Sequence, residues 1–567
     1  MKERIYTVVA DALRARGAGE ITFAVEYPSD RTRGDFSVNA ALVAAKKLGK
    51  KPRELASELS EILVDKLGKD ARAVKIAEPG FINITLSSSA LYGQLERARA
   101  AGEEWGSGNA QKEKRVIIEY GSPNPFKEMH IGHLVGTIVG EALSRLIENT
   151  GAVVARDTFG GDVGPHVAKA LWGLRTAGNT EPANASEVGR AYAHGARAYE
   201  ESEKAKTEID ALNVMLYETL AAGEHPETLS EDERKLLETW RVGKSVSVEE
   251  FERLYLILGT HFDYAFYDSD TTKIGIEVVR DGVTKGVLEE SDGAIIYRGE
   301  KKGLHTLVFI TSRGTPTYET KDIGLAFLKE TRWPSDWSII ITAAEQIGHF
   351  KVLLAALGDI APLLAKKTEH LAHGFLQLTT GKMSSRSGNV ITAAALIEEV
   401  VARAMQKNDD PVVARQVAVA AVKYMVLRQA LGADILFDPE QSLSFEGDSG
   451  PYLQYSLVRA RSVLRGAKEA GKSAAEALAE DAPPEPYGIT RLLTRFPESA
   501  ARAASARAPN ILTTYLTELA GAWNSFYAKE RILGGEHEAH KLALVQAFAQ
   551  TMQNGLTLLG IPTPEKM

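Results

Sequence analysis

The sequence predicts an α/β protein: a doubly wound, Rossmann-like parallel sheet flanked by an N-terminal α+β module and a C-terminal helical bundle. Three observations carry this reading. Residues 115–155 read as strand, helix, strand; strand signals return between 294 and 352 after a charged helical stretch; and the pattern is helical from about 395 onward. A βαβ unit has a right-handed crossover and takes ligands at the carboxyl ends of its strands. At 567 residues the chain has room for about three or four domains.

Composition narrows the class further. No apolar run approaches the roughly 20 residues of a membrane span, and Met1-Lys2-Glu3-Arg4-Ile5-Tyr6 lacks the apolar core of a signal peptide. A cytoplasmic protein without membrane contact is expected. With no cysteine, disulfides, thiolate metal sites and cysteine nucleophiles are excluded and His, Asp and Glu are left as the metal ligands; no metal site is assigned, and any metal is expected to arrive with a nucleotide. A net charge of −8 argues against indiscriminate polyanion binding. It leaves room for a shape-specific RNA partner met by one basic face.

Residues 1 to about 110 form the first module. An amphipathic helix runs through Val8 and Leu13, a loop covers residues 27–36, helices run from Asn39 to Leu67, and Phe81 to Leu86 reads as a strand. The core opens with the apolar strand Arg115–Tyr120, the loop 121–129, and a helix begun by His130-Ile131-Gly132-His133. Leu134, Ile138, Ala142 and Leu146 then recur at helical spacing until Gly151 supplies a stop, and Val153-Val154-Ala155 restarts as a buried strand. Two imidazoles three apart at the positive end of a helix dipole can donate to phosphate oxygens, and Gly132 lets a flat ring approach the backbone. With 12 His and 49 Gly, an H-x-G-H arises by chance roughly 0.02 times. The constellation describes a nucleotide site.

This stretch resembles the HIGH signature of class I aminoacyl-tRNA synthetases. Glu119-Tyr120-Gly121-Ser122-Pro123-Asn124, followed by Lys127, is similar to the arginyl-tRNA synthetases in particular. The resemblance extends along nearly the whole chain. Gly34-Asp35-Phe36-Ser37-Val38-Asn39-Ala40 and Pro79-Gly80-Phe81-Ile82-Asn83 resemble the family's additional N-terminal domain, which implies tRNA elbow contact through Asp35, Phe36 and Asn39. Read from the residues alone, the same module is a cap with a solvated basic face. Gly160-Gly161-Asp162-Val163-Gly164 is similar to the family's Gly-Asp-Trp-Gly loop, with Val163 in place of tryptophan, and a helical insertion is expected near 186–262.

Strand signals then return at Ala294–Tyr297, Leu307–Ile310 and Ile339–Thr342. Between the last two, Tyr318 and Asp322 stand four apart and share one helix face. A carboxylate and a phenol so placed suit a guanidinium, although a solvated helix start would look the same. The resemblance implies that Glu119, Asn124, Tyr318, Asp322 and Gln346 hold arginine, and that His349 joins His130 and His133 at ATP. Residues 374–391, with Gly-Lys-Met-Ser-Ser-Arg-Ser-Gly-Asn-Val at 381–390, read as a loop that suits closure over a triphosphate. They resemble the KMSKS loop, which implies catalytic work for Lys382 and Arg386 and ATP contacts for Met383 and Ser384. Ser385 stands where the motif has its second lysine, and the resemblance implies that Lys127 substitutes.

Tyr452, Gln454, Tyr455, Arg459 and Arg461, with Trp523-Asn524-Ser525-Phe526-Tyr527 and the stretch from Asn554, resemble the anticodon-binding bundle. Aromatic and arginine faces suit splayed bases; helix-periodic Tyr and Trp are otherwise mostly core, and about half of these are expected to be so. The family's Asp-Ala-Leu-Arg tetrad has only a loose counterpart in Glu538-Ala539-His540-Lys541. The expected layout is therefore 1–110, an additional domain; 111–440, a catalytic domain with the insertion; and 441–567, an anticodon-binding domain. The implied reaction is arginine–tRNA ligation: arginine and ATP give arginyl-adenylate, then arginine passes to the 3′ end of tRNA-Arg, with His130, Gly132, His133 and Lys127 at the chemistry and Mg²⁺ carried by the nucleotide. A monomer is expected. Two rivals stay open, another HIGH-type synthetase or nucleotidyltransferase and a non-catalytic RNA-binding paralogue.

Overall fold

The computed structural model describes residues 1–567 apart from 29, 223–226, 228 and 380–390. The chain divides into two compact units, and neither is continuous in sequence. One comprises Met1–Trp105, Arg459–Pro497 and Glu518–Asn554; the other comprises Gly106–Val458, Glu498–Thr517 and Gly555–Met567.

The first unit carries four short strands, β1 (Val25–Glu26), β2 (Phe36–Val38), β3 (Ala71–Ala77) and β4 (Phe81–Leu86). They pair antiparallel in the order β1-β2-β4-β3. Alternation along β4 buries Ile82, Ile84 and Leu86, the period-two pattern of a sheet with one covered face. The helix Lys2–Ala15 lays Ile5, Val9, Ala12 and Leu13 into the same core. The C-terminal share of this unit is helical, and its centre is Trp523, fully buried and stacked on Phe548 with ring centroids 4.6 Å apart.

The second unit is built on β5 (Arg115–Glu119), β6 (Val153–Gly160), β7 (Tyr264–Tyr267), β11 (Trp337–Ala343) and β12 (Thr368–His373). All pairs are parallel and the order is β12-β11-β5-β6-β7. The chain runs outward from β5 to β7 on one side and from β11 to β12 on the other, so the direction of winding reverses at β5/β11. Ligands of doubly wound sheets bind at the carboxyl ends of the strands flanking such a switch. The apolar run Val116-Ile117-Ile118 is wholly buried, as expected of a strand covered on both faces.

Two strand expectations need correcting. The 294–297 and 307–310 strands, β9 and β10, do not join the parallel sheet. With β8 (Glu289–Ser291) they form a separate antiparallel sheet ordered β10-β9-β8. The link from β8 to β9 is Asp292-Gly293, both at positive φ, a two-residue hairpin turn that can only join antiparallel neighbours. The edge strands β7 and β12 were not foreseen. The loop expected over 374–391 begins instead with a strand, β13 (Leu376–Leu378), because its backbone pairs parallel with β14 (Ile435–Phe437).

The charged stretch after β6 is helical, as helices Ala185–Glu201, Glu203–Ala221 and Glu231–Leu258. Val163 is buried in the insertion's core with Phe126, Val188, Leu216 and Trp240. The chain's return at Gly555–Met567 is also bonded into the second unit: Arg145 Nη1 donates to Thr557 O at 3.1 Å, Lys423 Nζ to Gly560 O at 2.5 Å and Gln454 Nε2 to Pro562 O at 2.6 Å. No helix among the described residues is long and apolar enough to cross a membrane.

Candidate active site

The helix Ile131–Glu148 starts at the carboxyl edge of β5 with His130 as its N-cap. His130 Nδ1 accepts the Gly132 N–H at 3.1 Å, and His133 Nδ1 accepts the His130 N–H at 3.3 Å. The two rings stack with centroids 3.6 Å apart. A ring nitrogen that accepts carries no proton, so in each neutral imidazole the proton sits on Nε2. Burial and nearby Lys127 lower the His130 pKa; burial, His130, Lys127 and His373 drive that of His133 well below the ordinary value. Two uncharged N–H donors are thus held at a helix N-terminus, where phosphate oxygens are favoured.

His373, at the end of β12, was not singled out from the sequence. It is buried and its Nδ1 lies 2.9 Å from Gly374 O. A lone histidine after a polar strand gave no signal. Its neighbour across the site is Gly136, where an added Cβ would stand 3.3 Å from His373 Nε2.

The residues Lys382, Met383, Ser384, Ser385 and Arg386 lie outside the described residues. The chain just after them is sewn to the histidine turn: Ile131 N donates to Ile391 O at 3.2 Å and Ala393 N to Met129 O at 2.7 Å. Lys127, from the loop before the histidines, has its ammonium 4.9 Å from the Tyr192 ring centroid. Asn124 Oδ1 accepts the Gly161 N–H at 2.7 Å and ties two loops together. Asp162 is buried and holds Ser269 and Lys244, the latter at 2.8 Å.

Glu119 and Asp322 line one cavity with Lys329 and Phe350. Tyr318 opens the helix Tyr318–Arg332 and is exposed; one turn on, Asp322 Oδ2 meets His349 Nε2 at 3.0 Å. Burial raises the Asp322 pKa, while His349, despite its own burial, is raised by the charge and hydrogen bond of Asp322. Gln346 is exposed in the turn before His349. One partner of Glu119 was unforeseen. Lys329, fully in the core, places its ammonium 3.0 Å from Glu119 Oε2 and 2.9 Å from Asp157 Oδ2. Burial, only partly offset by Lys329, raises the Glu119 pKa to about 7.

The opposite face of the same strands carries a second cluster. Tyr120 Oη donates to Glu141 Oε2 at 2.9 Å, as do Thr260 Oγ1 at 2.7 Å and Arg156 Nε at 2.9 Å; Arg145 Nε reaches Glu141 Oε1 at 2.6 Å, and Arg156 forks onto Glu148. Gly140 brings this helix onto Tyr120, since an added Cβ would sit 2.1 Å from Tyr120 Cγ.

The expected RNA contacts fall in two groups. Asp35 is buried, accepts Leu86 N–H at 2.7 Å and pairs with Arg491 at 2.7 Å. Phe36 is buried in β2, Asn39 Oδ1 accepts Ala24 N–H at 2.7 Å, and Gln454 is fully buried with its amide on backbone carbonyls. These four side chains hold the structure together. Tyr452, Tyr455 and Arg459 are half-buried, with Arg459 stacked 4.9 Å over the Tyr527 ring.

Three family models match in tandem: an arginyl tRNA synthetase N-terminal domain over residues 3–86, the catalytic domain of tRNA synthetases class I (R) over 96–438, and the DALR anticodon binding domain over 453–567. Sheet, paired histidines and these matches define a class I aminoacyl-tRNA synthetase, an ATP-dependent ligase. Arginine–tRNA ligases of Treponema denticola and Limosilactobacillus reuteri are each 30% identical, covering 96% of this chain and 94% of the first, and 100% of both chains for the second. The arginyl-tRNA synthetase structure from Thermus thermophilus aligns over 100% of both chains at 26% identity with a TM-score of 0.79. The chain belongs to the arginyl-tRNA synthetase family.

Proposed function

We propose that the cavity holding Glu119 and Asp322 takes the guanidinium of L-arginine and that the two histidine Nε2–H groups take the phosphates of ATP. The single observation that carries this is the pair of Nδ1 acceptors, which leaves both Nε2–H donors aimed from one helix end. Asp322 forms the bidentate pair, Tyr318 completes the fork, and Asn124 and Gln346 meet the amino-acid end. The arginine carboxylate attacks the α-phosphate, pyrophosphate departs, and a terminal ribose hydroxyl of tRNA-Arg then takes the acyl group. Positioning and charge stabilisation supply the rate, so no protein nucleophile is needed.

Magnesium would enter with ATP and supply positive charge against its phosphates; among the described residues no cluster of three acidic or histidine side chains is built to hold a metal. Lys127 and the cations Lys382 and Arg386 neutralise the leaving pyrophosphate. The chain works in the cytoplasm as a monomer, with residues 1–110 toward the tRNA elbow and Tyr452, Tyr455 and Arg459 toward the anticodon. His133→Ala tests the reading. Adenylate formation should fall by at least a hundredfold with the KM for arginine changed less than threefold, because its donor acts chiefly as phosphate charge redistributes. An unchanged turnover number sinks it.

A further inference from the structure

Adjacent residues of a strand point to opposite faces of the sheet. On β5 and β6, Glu119 pairs in register with Asp157, so both carboxylates face the same side, beneath the helix Tyr318–Arg332. Asp157 has no solvent exposure, and its carboxylate has no partner among the described residues except the Lys329 ammonium, 2.9 Å from Oδ2. That ammonium is also the hydrogen-bond donor to Glu119 Oε2. One buried cation therefore serves these two buried carboxylates, and among the described residues the other lysine of the same cavity, Lys367, is paired with Glu330. The groups that do face Glu119 are Asp157 from β6 and Asp322 and Lys329 from the helix; behind Asp322 stand His349 and Glu319.

We propose that Lys329 and Asp157 are positioning residues of the arginine site: by holding two carboxylates with a single ammonium they leave the pocket one positive charge short, and a permanently charged guanidinium completes it. This rests on the reading of Glu119 and Asp322 as the guanidinium site. Desolvation makes an uncompensated buried charge costly, so without substrate the deficit is met by a proton. Burial raises both carboxyls of the pair, Glu119 to about 7 and Asp157 in the same direction, and Glu119, which lines the cavity, is the one that meets the substrate. Arginine binding displaces that proton onto solvent, while the Lys329 ammonium, held charged by its two carboxylates against its own burial, stays in place. The deficit also sets selectivity, because citrulline, the neutral isostere, cannot fill it.

The sign of the pH dependence follows. Binding that releases a proton strengthens as pH rises toward the pKa of the releasing group and levels off above it. The KM for arginine, measured by tRNA charging between pH 6 and 8.5, should fall by up to about tenfold per unit below pH ~7 and then flatten. Asp157→Asn touches no substrate, yet it cancels the deficit: the KM for arginine at pH 8 should rise at least tenfold, with kcat the smaller change, and its pH dependence should vanish. Lys329→Met should move the break in the profile up by at least one unit, and Lys329→Arg should restore it. A flat wild-type profile overturns the proposal without any variant. So does an Asp157→Asn enzyme that keeps the wild-type slope while Glu119→Gln still raises KM. If Glu119→Gln itself leaves the KM for arginine unmoved, the site reading fails instead.

Discussion

The two faces of β5 and β6 carry buried charge in opposite ways. Toward the helix Ile131–Glu148, Glu141 and Glu148 meet Arg145 and Arg156, two acids to two cations, and Tyr120 and Thr260 fill the remaining acceptor sites. Toward the helix Tyr318–Arg332, Glu119 and Asp157 share one lysine. The Glu141 pKa is lowered because Arg156 and Arg145 outweigh its burial, whereas burial wins at Glu119. A balanced cluster holds the scaffold; an unbalanced one is finished by what it binds.

Breaking the balanced side should have the largest effect. Glu141→Ala leaves the buried Arg156 with Glu148 as its one carboxylate and takes the acceptor from Tyr120 and Thr260, and losing one partner of a buried pair costs about 3–5 kcal/mol. Chemical denaturation of the second unit's transition should show that loss, while the KM for arginine moves less than threefold; a KM effect without lost stability would erase the distinction between the faces. Gly140→Ala comes next. Its Cβ would overlap Tyr120, and overpacking of this kind costs about 1–3 kcal/mol, read as a lower Tm with the same denaturant slope.

The unbalanced side should answer in binding. Asp322→Asn keeps shape but removes a charge-assisted bond worth about 1.5–3 kcal/mol, so the KM for arginine should rise at least tenfold; a change under twofold would place the guanidinium elsewhere. The smallest effect sharpens the contrast by sign. A carboxyl raised in the folded state costs stability as pH rises through that value, so Glu119→Gln should stabilise the substrate-free chain at pH 8 by about 1 kcal/mol. For Glu141, lowered in the folded state, the contribution is present above the ordinary carboxylate value and lost as pH falls through the folded one. Glu141→Gln should destabilise at pH 8 and converge on wild type in acid.

The sequence announced the histidine turn because strand, loop and helix start are local, and their spacing alone sets which groups converge. Tyr318 and Asp322 were legible for the same reason, being one helical turn apart. Lys329 was not: seven residues beyond Asp322 it reads as an ordinary helix lysine, and only the register of β5 against β6 brings two carboxylates beneath it. His373 was hidden because β12, Thr-Glu-His-Leu-Ala-His, lacks the apolar run of a central strand. The antiparallel hairpin at Asp292-Gly293 was present in the turn residues, but the apolar strands beside it read equally well as core. At Asp35 and Gln454 the family motif marked positions that the fold uses for its own bonds.

The three carbonyls of residues 557, 560 and 562 that receive Arg145, Lys423 and Gln454 bear on how the protein is made. A ribosome that has extruded every strand of the parallel sheet has not yet supplied the partner of Lys423, whose burial brings its pKa down to about 7. Until residues 555–567 emerge, that lysine is an unpaired polar group in an apolar setting, and the helix Ile131–Glu148 lacks one of its tethers. Vectorial synthesis therefore delivers the nucleotide site before the contacts that fasten its helix from behind. Chains released before residues 555–567 carry the signature residues without these three backbone acceptors.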